Sequence, residues 1–188
     1  AGGMGTVFLG SRGAEMVAIK VAREGFLEDP SLRTRFEREV ASLEKMDSPY
    51  IARFLGSGID KEIAWCAMEF VNGQTLWDRV EREGPLDLDE WLLLAQELRL
   101  AIGDVHRQGI VHRDIKPSNI VLSEVFIKLI DFGVAWDSNQ TSLTTTGMVA
   151  GSPAWLSPEQ LDGLTVTPAT DLFSAGSVLM FAATGRSP

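Results

Sequence analysis

The sequence predicts an α+β chain of two lobes, a small antiparallel sheet lobe carrying one helix followed by a mainly helical lobe, with neither lobe complete. Three observations predict it. Short apolar, β-branched segments gather in the first 70 residues, one amphipathic helical stretch lies among them, and a leucine-rich helical period takes over from Leu88. The turn Val71-Asn72-Gly73 marks the boundary, giving units 1–70 and 71–188.

Thr6 to Leu9 and Met16 to Ala22 flank Ser11-Arg12-Gly13 and read as a hairpin. Asp29-Pro30 starts a helix, with the aspartate as N-cap and proline at the first helical position. That helix runs through Lys45, with Leu32, Phe36 and Leu43 on one face. At 100° per residue Glu39 falls within about 40° of the middle of that stripe, so its carboxylate needs a cation. Ile51 to Leu55 and Ile63 to Glu69 complete the sheet. Leu88 to His106 is helical and leads directly into a loop from Gly109 to Asn119. Leu172 to Ala183 reads as a buried helix, and the Ser- and Thr-rich stretch 138–146 as a mobile loop.

Composition narrows the function. The chain has 188 residues, 45% of them hydrophobic, enough to bury a core. A net charge of −9 argues against a nucleic-acid or membrane-surface binder, so any phosphate site must be locally positive. The lone Cys66 excludes an internal disulfide, and with two distant histidines it offers no zinc spacing; a reducing, cytoplasmic setting is expected. No signal peptide or bilayer-length apolar run is present, Leu172 to Ala183 being too short. Starting at Ala1 and stopping at Pro188, the sequence is expected to be cut from a longer protein that could carry a membrane anchor.

Chemistry concentrates in Val111-His112-Arg113-Asp114-Ile115-Lys116-Pro117-Ser118-Asn119 and Lys128-Leu129-Ile130-Asp131-Phe132-Gly133. Two carboxylates, a lysine and an asparagine stand where a nucleotide phosphate could be held and attacked. Asp114 and Asp131 are seventeen residues apart, with Val17-Ala18-Ile19-Lys20 upstream and Ser157-Pro158-Glu159 downstream. Singly, each Asp or Asn reads equally as a turn residue or helix cap, and Lys20 as a surface lysine at a strand end. In this order they resemble the protein kinases, and Gly2-Gly3-Met4-Gly5 with Ser157-Pro158-Glu159-Gln160 is most like the bacterial Ser/Thr kinases.

The resemblance implies Mg²⁺-dependent transfer of the γ-phosphate of ATP to Ser/Thr hydroxyls of protein substrates, including autophosphorylation within a homodimer. Gly2, Gly3 and Gly5, ahead of Val7, would be the end of the glycine-rich loop over the phosphates; no P-loop pattern occurs. Lys20 paired with Glu39, nineteen residues on, would hold the α- and β-phosphates. Asp114 would take or orient the hydroxyl proton and Lys116 would stabilise the transferring group, while Asn119 and Asp131 would bind Mg²⁺. Adenine would lie between Val7 and Ala18 above and Val121 below, with the backbone of Glu69 and Val71 reading its edge and Met68 behind.

His112 and Phe132 would stack in an apolar column with Leu43, and His106 reads as a helix-end histidine. Asp171 is either a helix N-cap or the aspartate that holds the backbone of the catalytic loop. Ser152 and Trp155 occupy substrate-loop positions where the family usually has Thr and Tyr, and Trp155 would alter the substrate groove. Glu159 would pair with an arginine of a later helix and stay unpaired here. Thr144 and Thr146, eight and six residues before Ser152, are the expected activation-loop phosphosites, with Arg113 as their partner. Two other functions fit the same residues. One is a pseudokinase acting as a binding module, disfavoured by the intact Lys20, Glu39, Asp114, Asn119 and Asp131. The other is a small-molecule phosphotransferase, which would not need the Ser/Thr-rich segment ending in Ser157-Pro158-Glu159.

Overall fold

The computed structural model describes residues 6–22, 28, 30–60, 63–131 and 153–188, and only the backbone at 12, 31, 35, 39 and 153. Strands β1 (Thr6–Arg12), β2 (Glu15–Val21), β3 (Phe54–Asp60) and β4 (Ile63–Glu69) form one antiparallel sheet in the order β1-β2-β4-β3. The first hairpin turns at Gly13 and Ala14, two residues later than the Ser11-Arg12-Gly13 reading, because the ladder continues to the Arg12–Glu15 pair. Gly13 takes φ +66°, where a side chain would be strained.

Helix α1 (Pro30–Leu43) shares an apolar cluster with Ala64 and Cys66 of β4 and ends two residues before Lys45. It buries Leu32, Phe36, Val40 and Leu43, an i, i+4, i+8, i+11 stripe. The expected Asp29 cap lies outside the described residues.

The strand expected from Ile51 to Leu55 divides. Ile51 forms a parallel bridge to Leu129, and Ala52 N–H donates to the Leu129 carbonyl (3.0 Å), so this segment joins the second lobe. Both residues are 2% exposed, and burial from both sides decides their pairing. β3 starts only at Phe54, passes a bulge at Phe54/Gly56 and runs on to Asp60.

The second lobe opens with β5 (Gln74–Thr75) and α2 (Leu76–Glu83), followed by α3 (Leu88–Arg107). α3 is started by a reciprocal Asp87–Glu90 capping box. A 3₁₀ turn at Pro117–Asn119 leads into β6 (Ile120–Leu122) and β7 (Ile127–Leu129), which with β5 make a second antiparallel sheet, β5-β6-β7. Gly73 is obligatory at its edge, since a Cβ there would lie 2.3 Å from the Leu122 carbonyl oxygen.

Helices α4 (Pro158–Leu161) and α5 (Pro168–Thr184) follow. α5 was expected to be buried, but only one face is. Val178, Phe181 and Ala182 are in the core, whereas Leu172 and Met180 are about 60% exposed. Phe181 stacks on Trp77 at 5.1 Å and meets Trp155 edge-on at 5.6 Å. One apolar cluster runs from Leu32, Phe36 and Leu43 of α1 to Leu98 of α3 and Phe181 of α5, so the two lobes share a core. Among the described residues no helix is long and apolar enough to cross a membrane.

Candidate functional site

Lys20 stands on β2 opposite both Val7 of β1 and Cys66 of β4, and is 8% exposed. A lysine so buried needs a counter-charge. Its Nζ lies 2.5 Å from Asp131 Oδ1, immediately after β7. The backbone of Glu39 is on α1, but its side chain lies outside the described residues. Burial pushes the Cys66 thiol up to about 11, an effect that Lys20 moderates and Asp131 reinforces. Cys66 is therefore an apolar wall of the site and no nucleophile.

A cavity of about 430 Å³ opens beside this pair, between the two sheets. Val7, Ala18 and Lys20 line it from the first sheet, Met68 and Glu69 from the end of β4, Val71 from the segment after it, and Val121 and Asp131 from the second lobe. The described residues expected around adenine, together with Lys20 and Asp131, thus line one cavity, whereas Asp114, Lys116 and Asn119 are not part of its lining. Leu43, Cys66, Gly73 and Thr75 line it too. The Glu69 carboxylate turns out of hydrogen-bond range of Arg53 (3.8 Å) and toward Lys128 Nζ (2.7 Å), tying β4 to β7.

The loop between α3 and β6 is held by side chains, not by secondary structure. Asp171 Oδ2 accepts the N–H of His112 and Oδ1 that of Arg113, both at 2.8 Å. Asp171 therefore holds this loop's backbone, and the N-cap of α5 is Thr167. Arg113 takes φ +69°, a strained conformation for a residue with a side chain, and these bonds compensate it. His106, read as a mere helix end, puts Nε2 2.7 Å from Asp171 Oδ2 and so belongs to the same support. Complete burial lowers the His112 pKa below the ordinary imidazole value, outweighing the Asp171 and Asp114 carboxylates, which act to raise it.

Beyond Arg113 the loop presents Asp114. Lys116 Nζ reaches both its carboxylate oxygens (2.9 and 2.8 Å), and Asn119 Nδ2 donates to its Oδ2 (2.8 Å) and its backbone carbonyl (2.9 Å). The 3₁₀ turn brings Asn119 back to Asp114. Ile130 N–H in turn donates to the Asn119 carbonyl (2.9 Å), which places Asp131 beside the loop. Asp131, at φ +59°, leaves the strand there.

Other expected residues fall elsewhere. Gly2, Gly3, Gly5, Phe132, Thr144, Thr146 and Ser152 lie outside the described residues. Trp155, expected to shape a substrate groove, is 6% exposed and packs on Phe181, because its indole fills the core beside α5. Glu159, expected to be unpaired, accepts a hydrogen bond from Thr170 Oγ1 (2.6 Å), and that bond chiefly lowers its pKa. Gln160 reaches the backbone of the loop between α3 and β6, donating from Nε2 to the Arg113 carbonyl (2.9 Å).

The family model described as "Protein kinase domain" matches residues 1–188. "Probable serine/threonine-protein kinase PkwA" of Thermomonospora curvata is 42% identical over 189 residues, covering all of this chain and 26% of that protein. Serine/threonine-protein kinase AfsK of Streptomyces griseus is 40% identical over 190 residues (100% and 24%), and PrkC of Bacillus subtilis 38% over 190 residues (100% and 29%). The chain thus spans about a quarter of the length of these relatives. The crystal structure of the Mycobacterium tuberculosis PknI kinase domain superposes with a TM-score of 0.80 at 26% identity, over 100% of this chain and 70% of that one. With a family model matched over its whole length and a kinase-domain structure superposing on all of it, the chain belongs to the protein kinase domain family.

Proposed function

We propose that the protein containing this chain is a Ser/Thr protein kinase, using Mg²⁺ and ATP to phosphorylate protein hydroxyls. One observation carries the reading. Asp114 is gripped by Lys116 and Asn119, the Asn119 carbonyl accepts from Ile130 N–H, and the next residue, Asp131, pairs with Lys20 in the wall of the cavity. Asn119 uses both amide N–H groups on Asp114, which leaves Oδ1 as its ligand atom. With the Asp131 carboxylate this gives the hard-oxygen pair that suits Mg²⁺, completed by phosphate and water. When bound, Mg–ATP supplies the transferable γ-phosphoryl group.

In this reading Lys20, backed by Glu39, orients the α- and β-phosphates beneath Gly2, Gly3 and Gly5. Asp114 accepts the proton of the substrate hydroxyl as its oxygen bonds to the γ-phosphorus and the bond to the β-phosphate bridging oxygen breaks. Lys116 offsets the charge on the transferring group. Units 1–70 and 71–188 act as the two lobes. Thr144 and Thr146 are autophosphorylated in trans within a homodimer and engage Arg113, and Ser152 sits in the substrate loop. Incubating the intact natural protein with γ-labelled ATP, Mg²⁺ and a generic protein substrate tests this reading. Label on phosphoserine and phosphothreonine is expected; nucleotide binding without transfer, or transfer only to small molecules, contradicts it.

A further inference from the structure

We infer that Gln160 is a positioning residue for phosphoryl transfer, fixing the peptide unit that aims Asp114. This rests on the reading of Asp114 given above.

Ser157 to Gln160 forms the capping box of α4, and half of the Gln160 amide serves that purpose. Its Oε1 accepts from Ser157 N–H (3.1 Å) and Ser157 Oγ (3.3 Å). An amide oxygen only accepts, so these contacts orient Nε2 the other way, toward the Arg113 carbonyl at 2.9 Å.

That carbonyl belongs to the peptide joining Arg113 to Asp114. The two peptides before it are held through their N–H groups by Asp171. Among the described residues, the N–H of this third peptide has a long 3.4 Å contact with His112 Nδ1. Its shorter restraint therefore comes from Gln160, 47 residues away. The peptide follows a residue at φ +69°, and its rotation would swing the Asp114 carboxylate away from Lys116 and Asn119. The segment leading into α4 thus reaches the catalytic carboxylate through one donor.

Gln160→Glu separates the two jobs, because glutamate keeps the acceptor for Ser157, as in a standard capping box, but cannot donate to the carbonyl. In the intact natural protein this variant should keep its melting temperature and its KM for ATP. Its kcat should fall about tenfold, the factor expected for losing one hydrogen bond that positions a reacting group. Gln160→Ala should lose the same kcat and melt earlier as well. Turnover is expressed per nucleotide-binding site, which corrects for unfolded protein. If Gln160→Glu then turns over within twofold of wild type, the inference is overturned. Asp114→Asn run in parallel separates the two readings: near-wild-type turnover there would remove the role of Asp114 and this inference with it, whereas inactivity of Asp114→Asn beside a fully active Gln160→Glu would remove only the inference.

Discussion

Lys20 Nζ and Asp131 Oδ1, 111 residues apart in sequence, meet at 2.5 Å and close the charged end of the cavity. The pair joins a strand of the first sheet to the segment following β7, with the Lys20 side chain 10% and the Asp131 side chain 32% exposed. A cation in that place neutralises Asp131 and lines the cavity proposed to take the nucleotide.

Lys20→Met keeps the length and the apolar stem of the side chain while removing the charge. Turnover of the intact protein should fall at least a hundredfold, about 3 kcal/mol of transition-state stabilisation. Steady-state kinetics with a protein substrate check this, and circular dichroism verifies that the fold survives. More than about a tenth of wild-type activity would contradict the role of Lys20.

Asp171→Asn replaces one of two acceptor oxygens with a donor that faces backbone N–H groups. Losing charge-assisted bonds to His112, Arg113 and His106 should cost about 3 kcal/mol. The urea midpoint should drop with an unchanged m-value, and an unaltered midpoint would show that the loop does not depend on Asp171.

His112 gives the protein an acid-labile element. The folded imidazole stays neutral because burial lowers its pKa, whereas the unfolded one takes up a proton near its ordinary value of about 6.5. The unfolded state binds more protons below that pH, so this contribution is complete above about 6.5 and is lost progressively as pH falls toward the lowered folded pKa. Urea midpoints measured from pH 8 to 5 should decline below about 6.5, with a shallower decline in His112→Phe. Identical slopes would contradict it.

Gly73→Ala would drive a methyl group into the Leu122 carbonyl, which a Cβ would approach to 2.3 Å, and force β5 away from β6. Gly73, Thr75 and Val121 all line the cavity, so the displacement should reach the nucleotide. Overpacking of this kind costs about 1–3 kcal/mol, which should raise the KM for ATP about tenfold with little change in kcat. Titration with a fluorescent ATP analogue checks it.

What the sequence revealed follows from distance along the chain. Asp114, Lys116 and Asn119 lie within one short loop, so their meeting was readable before any fold was known. The helix stripe of Leu32, Phe36 and Leu43 was equally local. Ile51 was misplaced because its apolar pattern suits either sheet, and only tertiary burial selects Leu129 as its partner. His106 and Gln160 stayed hidden for another reason. Each has a sufficient local explanation, a helix end and a capping box, while its other partner lies 65 or 47 residues away. The contacts of Trp155 with Phe181 and of Glu159 with Thr170 were not legible, because how α5 packs chooses those partners.

The most direct test of the account compares the initial rate of phosphoryl transfer by the wild-type protein and by Asp114→Asn, in the intact natural protein with saturating Mg²⁺ and ATP. With its amide oxygen at the Oδ2 position, asparagine still accepts from Lys116 and Asn119 but loses the Oδ1 contact to Lys116 and cannot take up the hydroxyl proton; a general base contributes about 10²–10⁴-fold. The account predicts a loss in that range with nucleotide binding unchanged. Transfer by Asp114→Asn within a few-fold of wild type would contradict it.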